Sequence, residues 1–143
     1  MTDTISVRHI DGDRFEVAVR QHVLLVDQPL DGGGGDTAPT PTELFVSSLA
    51  ACIAFYARRF LARHELPTDG LTVEAAYSFG ARPARVSEIG ISLGVPDGVP
   101  EDRLAALLAV ARRCTVHNSL ESPPGVRVEL SRQPSPVSWP RVD

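Results

Sequence analysis

The sequence contains no lysine. Its 143 residues carry 14 Lys+Arg against 18 Asp+Glu, every cation is an arginine, and the formal net charge is −4. A general nucleic-acid binder presents an excess of positive charge, so that class is set aside. Cysteine is scarce too: Cys52 and Cys114 are the only two, too few for the disulfide framework of a small secreted domain. No stretch approaches the roughly 18 consecutive apolar residues that span a bilayer. Residues 1–10 alternate polar and apolar without the basic-then-apolar pattern of a signal peptide. These absences predict a cytoplasmic protein with no nucleic-acid and no membrane partner. What is present, 43% hydrophobic and 22% charged residues, excludes disorder of the whole chain. The length is that of one ordinary domain, placed at 1–131, with a Pro-rich disordered tail at 132–143.

Thr4–Ile10 and Arg14–Arg20 alternate with period two around Asp11-Gly12-Asp13, which predicts a hairpin. His22–Asp27 reads as a third strand. Pro29–Thr40 then breaks all periodicity. Its four glycines, Gly32–Gly35, lack the Gly-Lys-Ser/Thr ending of a phosphate loop and the Gly-x-Gly-x-x-Gly of a dinucleotide site, and read as a flexible connection. Thr40 can cap a helix, Pro41 suits its first position, and Glu43 puts a carboxylate in the first turn. From Leu44 to Ala57 only Ser47 and Ser48 are polar, and Arg58, Arg59, Arg63 and His64 gather at the far end. Residues 71–79 and 86–95 predict a second hairpin. Pro100-Glu101-Asp102 opens a second helix whose apolar face, Leu104, Leu107, Leu108 and Ala111, continues to Cys114. Val126–Leu130 reads as a last short strand. The order βββ-α-ββ-α-β is an α+β domain. A helix apolar on nearly all sides must be covered on nearly all sides, and one more helix and two hairpins supply too little cover. The expectation is an obligate homodimer with that helix at the interface.

Two cysteines in such a chain are either buried apolar fillers or a redox or metal site. A zinc site wants four ligands in paired spacings, and Cys52, Cys114 and the histidines form no such pairs, so no metal and no cofactor are expected. Ser47 and Ser48 lack the context of a nucleophile. Without a Cys-x-x-Cys, any disulfide would join Cys52 to Cys114 through space. An apolar surround disfavours a thiolate, so a reactive Cys52 needs an arginine brought from elsewhere and a carboxylate to hold it. Glu43, about two and a half turns before Cys52, lies near the opposite face of the same helix.

Pro41-Thr42-Glu43-Leu44-Phe45-Val46-Ser47-Ser48-Leu49-Ala50-Ala51-Cys52, followed later by Cys114-Thr115-Val116-His117-Asn118-Ser119-Leu120, resembles the OsmC/Ohr family of osmotically inducible and organic-hydroperoxide-resistance proteins. The resemblance runs from the first hairpin to Leu130. It implies an intertwined homodimer with two long central helices between sheets, and a thiol-dependent peroxidase acting on organic hydroperoxides. By motif, Cys52 would be the peroxidatic thiolate and become a sulfenic acid. Cys114 would resolve it as a disulfide, and a small dithiol of the dihydrolipoamide kind would be the reductant. In the hydroperoxide-resistance branch a carboxylate and an arginine activate the thiolate. The carboxylate position falls on Thr42 here, with Glu43 one residue later. The arginine comes from the first hairpin, where Arg14 is the first choice and Arg20 the other candidate. Thr115 and His117 depart from the Cys-Pro-x-Ser pattern of the better-known branches. His117 reads either as a local base or hydrogen-bond partner for Cys114, or as a solvent-facing loop residue. The displaced carboxylate motivates a second reading, a non-catalytic small-molecule-binding or redox-responsive dimer.

Overall fold

Alternating side chains and tight turns build the first sheet. In the computed structural model, which describes residues 3–132, β1 (Ile5–Asp11), β2 (Arg14–Val19) and β3 (His22–Val26) pair antiparallel in that order. Val17 of β2 faces Val7 on one side and Leu24 on the other. Gly12, at φ +45°, makes the first turn, a conformation that glycine adopts without steric penalty. Arg20 occupies the same left-handed region, φ 53°, in the two-residue turn to β3.

The glycine-rich segment is ordered rather than a flexible connection, and the residue five positions before Gly32 explains it. Asp27, only 1% exposed, accepts hydrogen bonds from the Gln28 N–H at 2.7 Å, the Thr37 N–H at 3.0 Å and the Thr37 hydroxyl at 2.7 Å. Those donors hold its carboxyl at a pKa of about 2, the Thr37 hydroxyl foremost. The loop wraps so closely that a Cβ on Gly34 would lie 2.2 Å from the Gln28 carbonyl oxygen, so no side chain fits there.

Helix α1 (Pro41–Arg63) starts at the predicted cap. The Thr40 hydroxyl accepts from the Glu43 N–H at 3.1 Å, and the Glu43 carboxylate accepts from the Thr40 N–H at 2.8 Å, a reciprocal capping box. Its buried residues, Val46, Leu49, Ile53, Ala57, Phe60 and Leu61, recur at helical spacing as one stripe. The described residues form two compact units: the chain to Leu44 with the segment from Arg127 on, and Phe45–Val126. In the second, β4 (Thr72–Gly80) and β5 (Arg85–Gly94) form an antiparallel hairpin. A 3-10 turn at Glu101–Arg103 leads into α2 (Leu104–Ala111), and α3 (Thr115–Glu121) follows. The core of this unit joins Leu49, Ile53, Ala57, Phe60 and Leu61 of α1 to Leu107, Ala111 and Cys114, with Val73, Ile89, Ile91 and Leu93 packed against it.

The class is α+β, as expected, with two departures in detail. Cys114 does not continue α2. The chain breaks after Ala111, Cys114 takes an extended backbone (φ −66°, ψ 152°), and α3 begins after it. Residues 126–130 carry no strand, and Val126, Val128 and Leu130 stand exposed. Alternation equips a segment for a sheet face, but a strand exists only where an edge pairs with it. The tail expected from 132 lies, from 133 on, outside the described residues. By length and composition α1 alone among the described helices could cross a membrane (mean hydropathy 1.5), and 33% of that stretch is buried within the chain. The same signature belongs to the core helix of a globular fold, which is how Leu49, Ile53, Ala57 and Leu61 are used here.

Candidate active site

Cys52 sits midway along α1 between the buried Leu49 and Ile53 and is itself half-buried. Cys114 is completely buried at the head of α3. Its extended backbone turns the side chain back over the first turn, where Sγ accepts the His117 N–H at 3.4 Å. The next residue secures the junction: the Thr115 hydroxyl lies 2.9 Å from the hydroxyl of Tyr56, one turn after Cys52 on α1. The result brings the two cysteines together. Both are free thiols, and Cys52 packs against the core cluster that contains Cys114, close enough for each sulfur to feel the other.

Electrostatics differentiates this pair. Burial pushes the Cys114 thiol up, and hydrogen bonding to Cys52 and the charge of a Cys52 thiolate push the same way. The backbone N–H groups of His117 and Val116 pull it down. With burial the largest of these effects, Cys114 is kept as a protonated thiol. Attack by its sulfur therefore requires somewhere for that proton to go.

A cleft of about 430 Å³ lies in the same unit, lined by Leu49 and Ile53 from α1, Ile89 and Ile91 from β5, and Arg112 and His117. A second hollow of about 290 Å³ shares Leu49, Ile89 and His117 and adds Glu88 and Glu121. Apolar walls with a few polar groups suit a small, mostly apolar ligand. His117 stands in both linings. Its Nε2 is 3.2 Å from the Glu121 carboxylate, while its Nδ1 is buried with no hydrogen-bond partner among the described residues.

The other residues singled out in the sequence belong to the first unit. Arg14, at the start of β2, pairs with Asp11 at 3.0 Å, and its Nε is buried without a partner among the described residues. Arg20 is exposed in its turn. Glu43 is engaged in the capping box through one carboxylate oxygen. Among the described residues no group of three or more His, Cys, Asp or Glu could hold a metal ion. Sequence reasoning missed Tyr56. The available signal was its position four residues after Cys52, on the same helix face.

A family model described as OsmC-like protein matches residues 33–129. Among solved structures, the chain is similar to a candidate osmotic-stress-induced and detoxification response protein from Psychrobacter arcticus. That match has 26% identity and a TM-score of 0.76, and covers 83% of this chain and 88% of that one. An OsmC-like protein from Mycoplasma pneumoniae shares the fold at 18% identity and a TM-score of 0.73, over 86% and 89% of the two chains. So does an organic hydroperoxide resistance protein from Legionella pneumophila, at 21% identity and a TM-score of 0.61, over 84% and 89%. A search of curated proteins finds none similar to the chain.

Proposed function

The chain belongs to the OsmC-like protein family, and from that premise we propose that it is a thiol-dependent peroxidase that reduces organic hydroperoxides through Cys52 and Cys114. The observation that carries this reading is the adjacency of two free thiols, one half-buried on α1 and one protonated and buried at the head of α3.

In the first step the Cys52 thiolate attacks the distal oxygen of ROOH. The S–O bond forms, the O–O bond breaks, and the alkoxide leaves as ROH on taking a proton. In the second, the Cys114 sulfur attacks the Cys52 sulfenic acid. The S–S bond forms, and the S–O bond breaks to release water. A small external dithiol then reduces the disulfide by exchange and leaves as its own disulfide. The apolar cleft beside Leu49 and Ile53 suits the organic group of such a peroxide. Arg14 has the task of stabilising the Cys52 thiolate, and Glu43 that of orienting Arg14. The buried, unpartnered Nε of Arg14 supports the first assignment. A second copy of the chain, covering the apolar remainder of α1, completes the functional unit. A reducing cytoplasmic setting keeps both thiols free between turnovers.

The alternative, a non-catalytic binding or redox-responsive dimer, is favoured by one feature: Glu43 is already engaged in the helix cap. One assay separates the two. Reduced protein mixed with cumene hydroperoxide is expected to lose both thiols rapidly as an intramolecular disulfide, and Cys52→Ser abolishes the loss. Thiol loss no faster than that of free cysteine would overturn the peroxidase reading in favour of the binding dimer.

A further inference from the structure

We propose that His117 is the proton acceptor for Cys114 when the disulfide closes, with Glu121 as the positioning residue that fixes its ring. This deepens the thiol-chemistry reading above and rests on it. Three observations carry it. The backbone N–H of His117 already meets the Cys114 sulfur at 3.4 Å, so the residue that carries the imidazole is held in the same helical turn as the reacting atom. The Glu121 carboxylate lies 3.2 Å from Nε2, one helical turn on, and a carboxylate there favours the tautomer with its proton on Nε2. That tautomer leaves Nδ1 as a lone-pair acceptor, and Nδ1 is the ring atom that is buried with no partner among the described residues.

A buried acceptor without a donor carries a desolvation penalty unless it has something to accept. Cys114 supplies that proton, because burial holds its thiol protonated until it reacts. As the S–S bond forms, the Cys114 proton passes to Nδ1. The hydroxyl leaving the Cys52 sulfur then takes a proton from the imidazolium and departs as water. Charge and protons balance, and His117 returns to its starting state. The other charged groups around the ring are Arg112 at the end of α2, which shares one hollow with it, and Glu88 of β5, which shares the other.

The test reads closure without any peroxide. Ellman's reagent caps the half-buried Cys52 as a mixed disulfide, and attack by the buried Cys114 then releases a second thionitrobenzoate per chain. In the full-length protein His117→Ala and His117→Gln should both slow this second release about a hundredfold, within the usual range for general-base catalysis. The first release should keep its rate. Added imidazole, which the adjoining cavity of about 430 Å³ can admit, should restore closure in His117→Ala. Glu121→Gln should slow closure less than either His117 variant. A second release of unchanged rate in His117→Gln overturns the proposal. So does slowing in His117→Ala that imidazole does not reverse, since a packing defect is insensitive to added base. The peroxide assay reports separately on the parent reading: a protein that closes fast with Ellman's reagent yet ignores cumene hydroperoxide has lost that reading and kept this one.

Discussion

Replacing Glu43 with glutamine separates two tasks that its carboxylate can perform. One is structural: Oε1 accepts the Thr40 N–H at 2.8 Å, while the Thr40 hydroxyl accepts the Glu43 N–H at 3.1 Å. The other is the proposed orientation of Arg14 beside the reacting thiolate. Glutamine serves as well as glutamate at this position of a capping box, so Glu43→Gln keeps the cap and removes the charge. The lost charge–dipole interaction at the start of α1 costs about 0.5 kcal/mol. Thr40→Ala does the reverse. It keeps the carboxylate and removes the capping hydroxyl, at about 1 kcal/mol. For a chain of this size that loss lowers Tm by about 3 °C. Urea unfolding should therefore rank Thr40→Ala as the less stable variant. Cumene hydroperoxide consumption should rank them oppositely, with Glu43→Gln slowed at least about tenfold, less than the roughly hundredfold loss of a direct electrostatic contact because Glu43 acts through Arg14, and Thr40→Ala close to the parent. If both variants react at the parental rate, Glu43 is a capping residue only and the assigned role is refuted. The role fails equally if the rates fall in proportion to the losses of stability.

Arg14→Ala should slow peroxide consumption and the alkylation of Cys52 at neutral pH, while Arg20→Ala leaves both near the parent. The opposite ranking assigns the activating cation to Arg20. Asp27 gives a pH signature. Its folded pKa of about 2 lies below the ordinary carboxylate value of about 4. The unfolded chain therefore binds the proton more readily, and the stability Asp27 contributes is complete above about pH 4 and is lost as pH falls through about 2. Asp27→Asn should thus be less stable than the parent at pH 7, and urea midpoints should converge as pH falls from about 4 to about 2. A gap that stays constant over that interval would show that the carboxylate charge contributes nothing through these hydrogen bonds.

The elements read correctly from the sequence are those whose signals are local. The first hairpin follows from alternation around Asp11-Gly12-Asp13, and the start of α1 from Thr40, Pro41 and Glu43 within four residues. The misreadings share the opposite property. Gly32–Gly35 looks like a flexible connection until Asp27 and Thr37, ten residues apart, are seen to close around it. Cys114 continues the α2 spacing as far as Ala111 predicts, and no glycine or proline marks the break that makes it a cap instead. Val126, Val128 and Leu130 alternate as a strand should, yet pairing depends on an edge that their own sequence does not encode.

The candidate site divides along the same line. Cys52 and Cys114 were found by motif, but what differentiates them chemically was not in the motif. It is the burial of one sulfur, the N–H groups aimed at it and the neighbouring thiol. The break after Ala111 that departs from the periodic reading is also what the proposed chemistry uses. Had α2 run on through Cys114, the sulfur would lie on a regular helix face, without the His117 N–H aimed at it. An extended residue between two short helices turns that sulfur toward α1 and places a histidine one turn away. A departure from periodicity of this kind is local rule-breaking that folds tolerate at sites of function. By that reasoning the misread residue is itself a mark of the site.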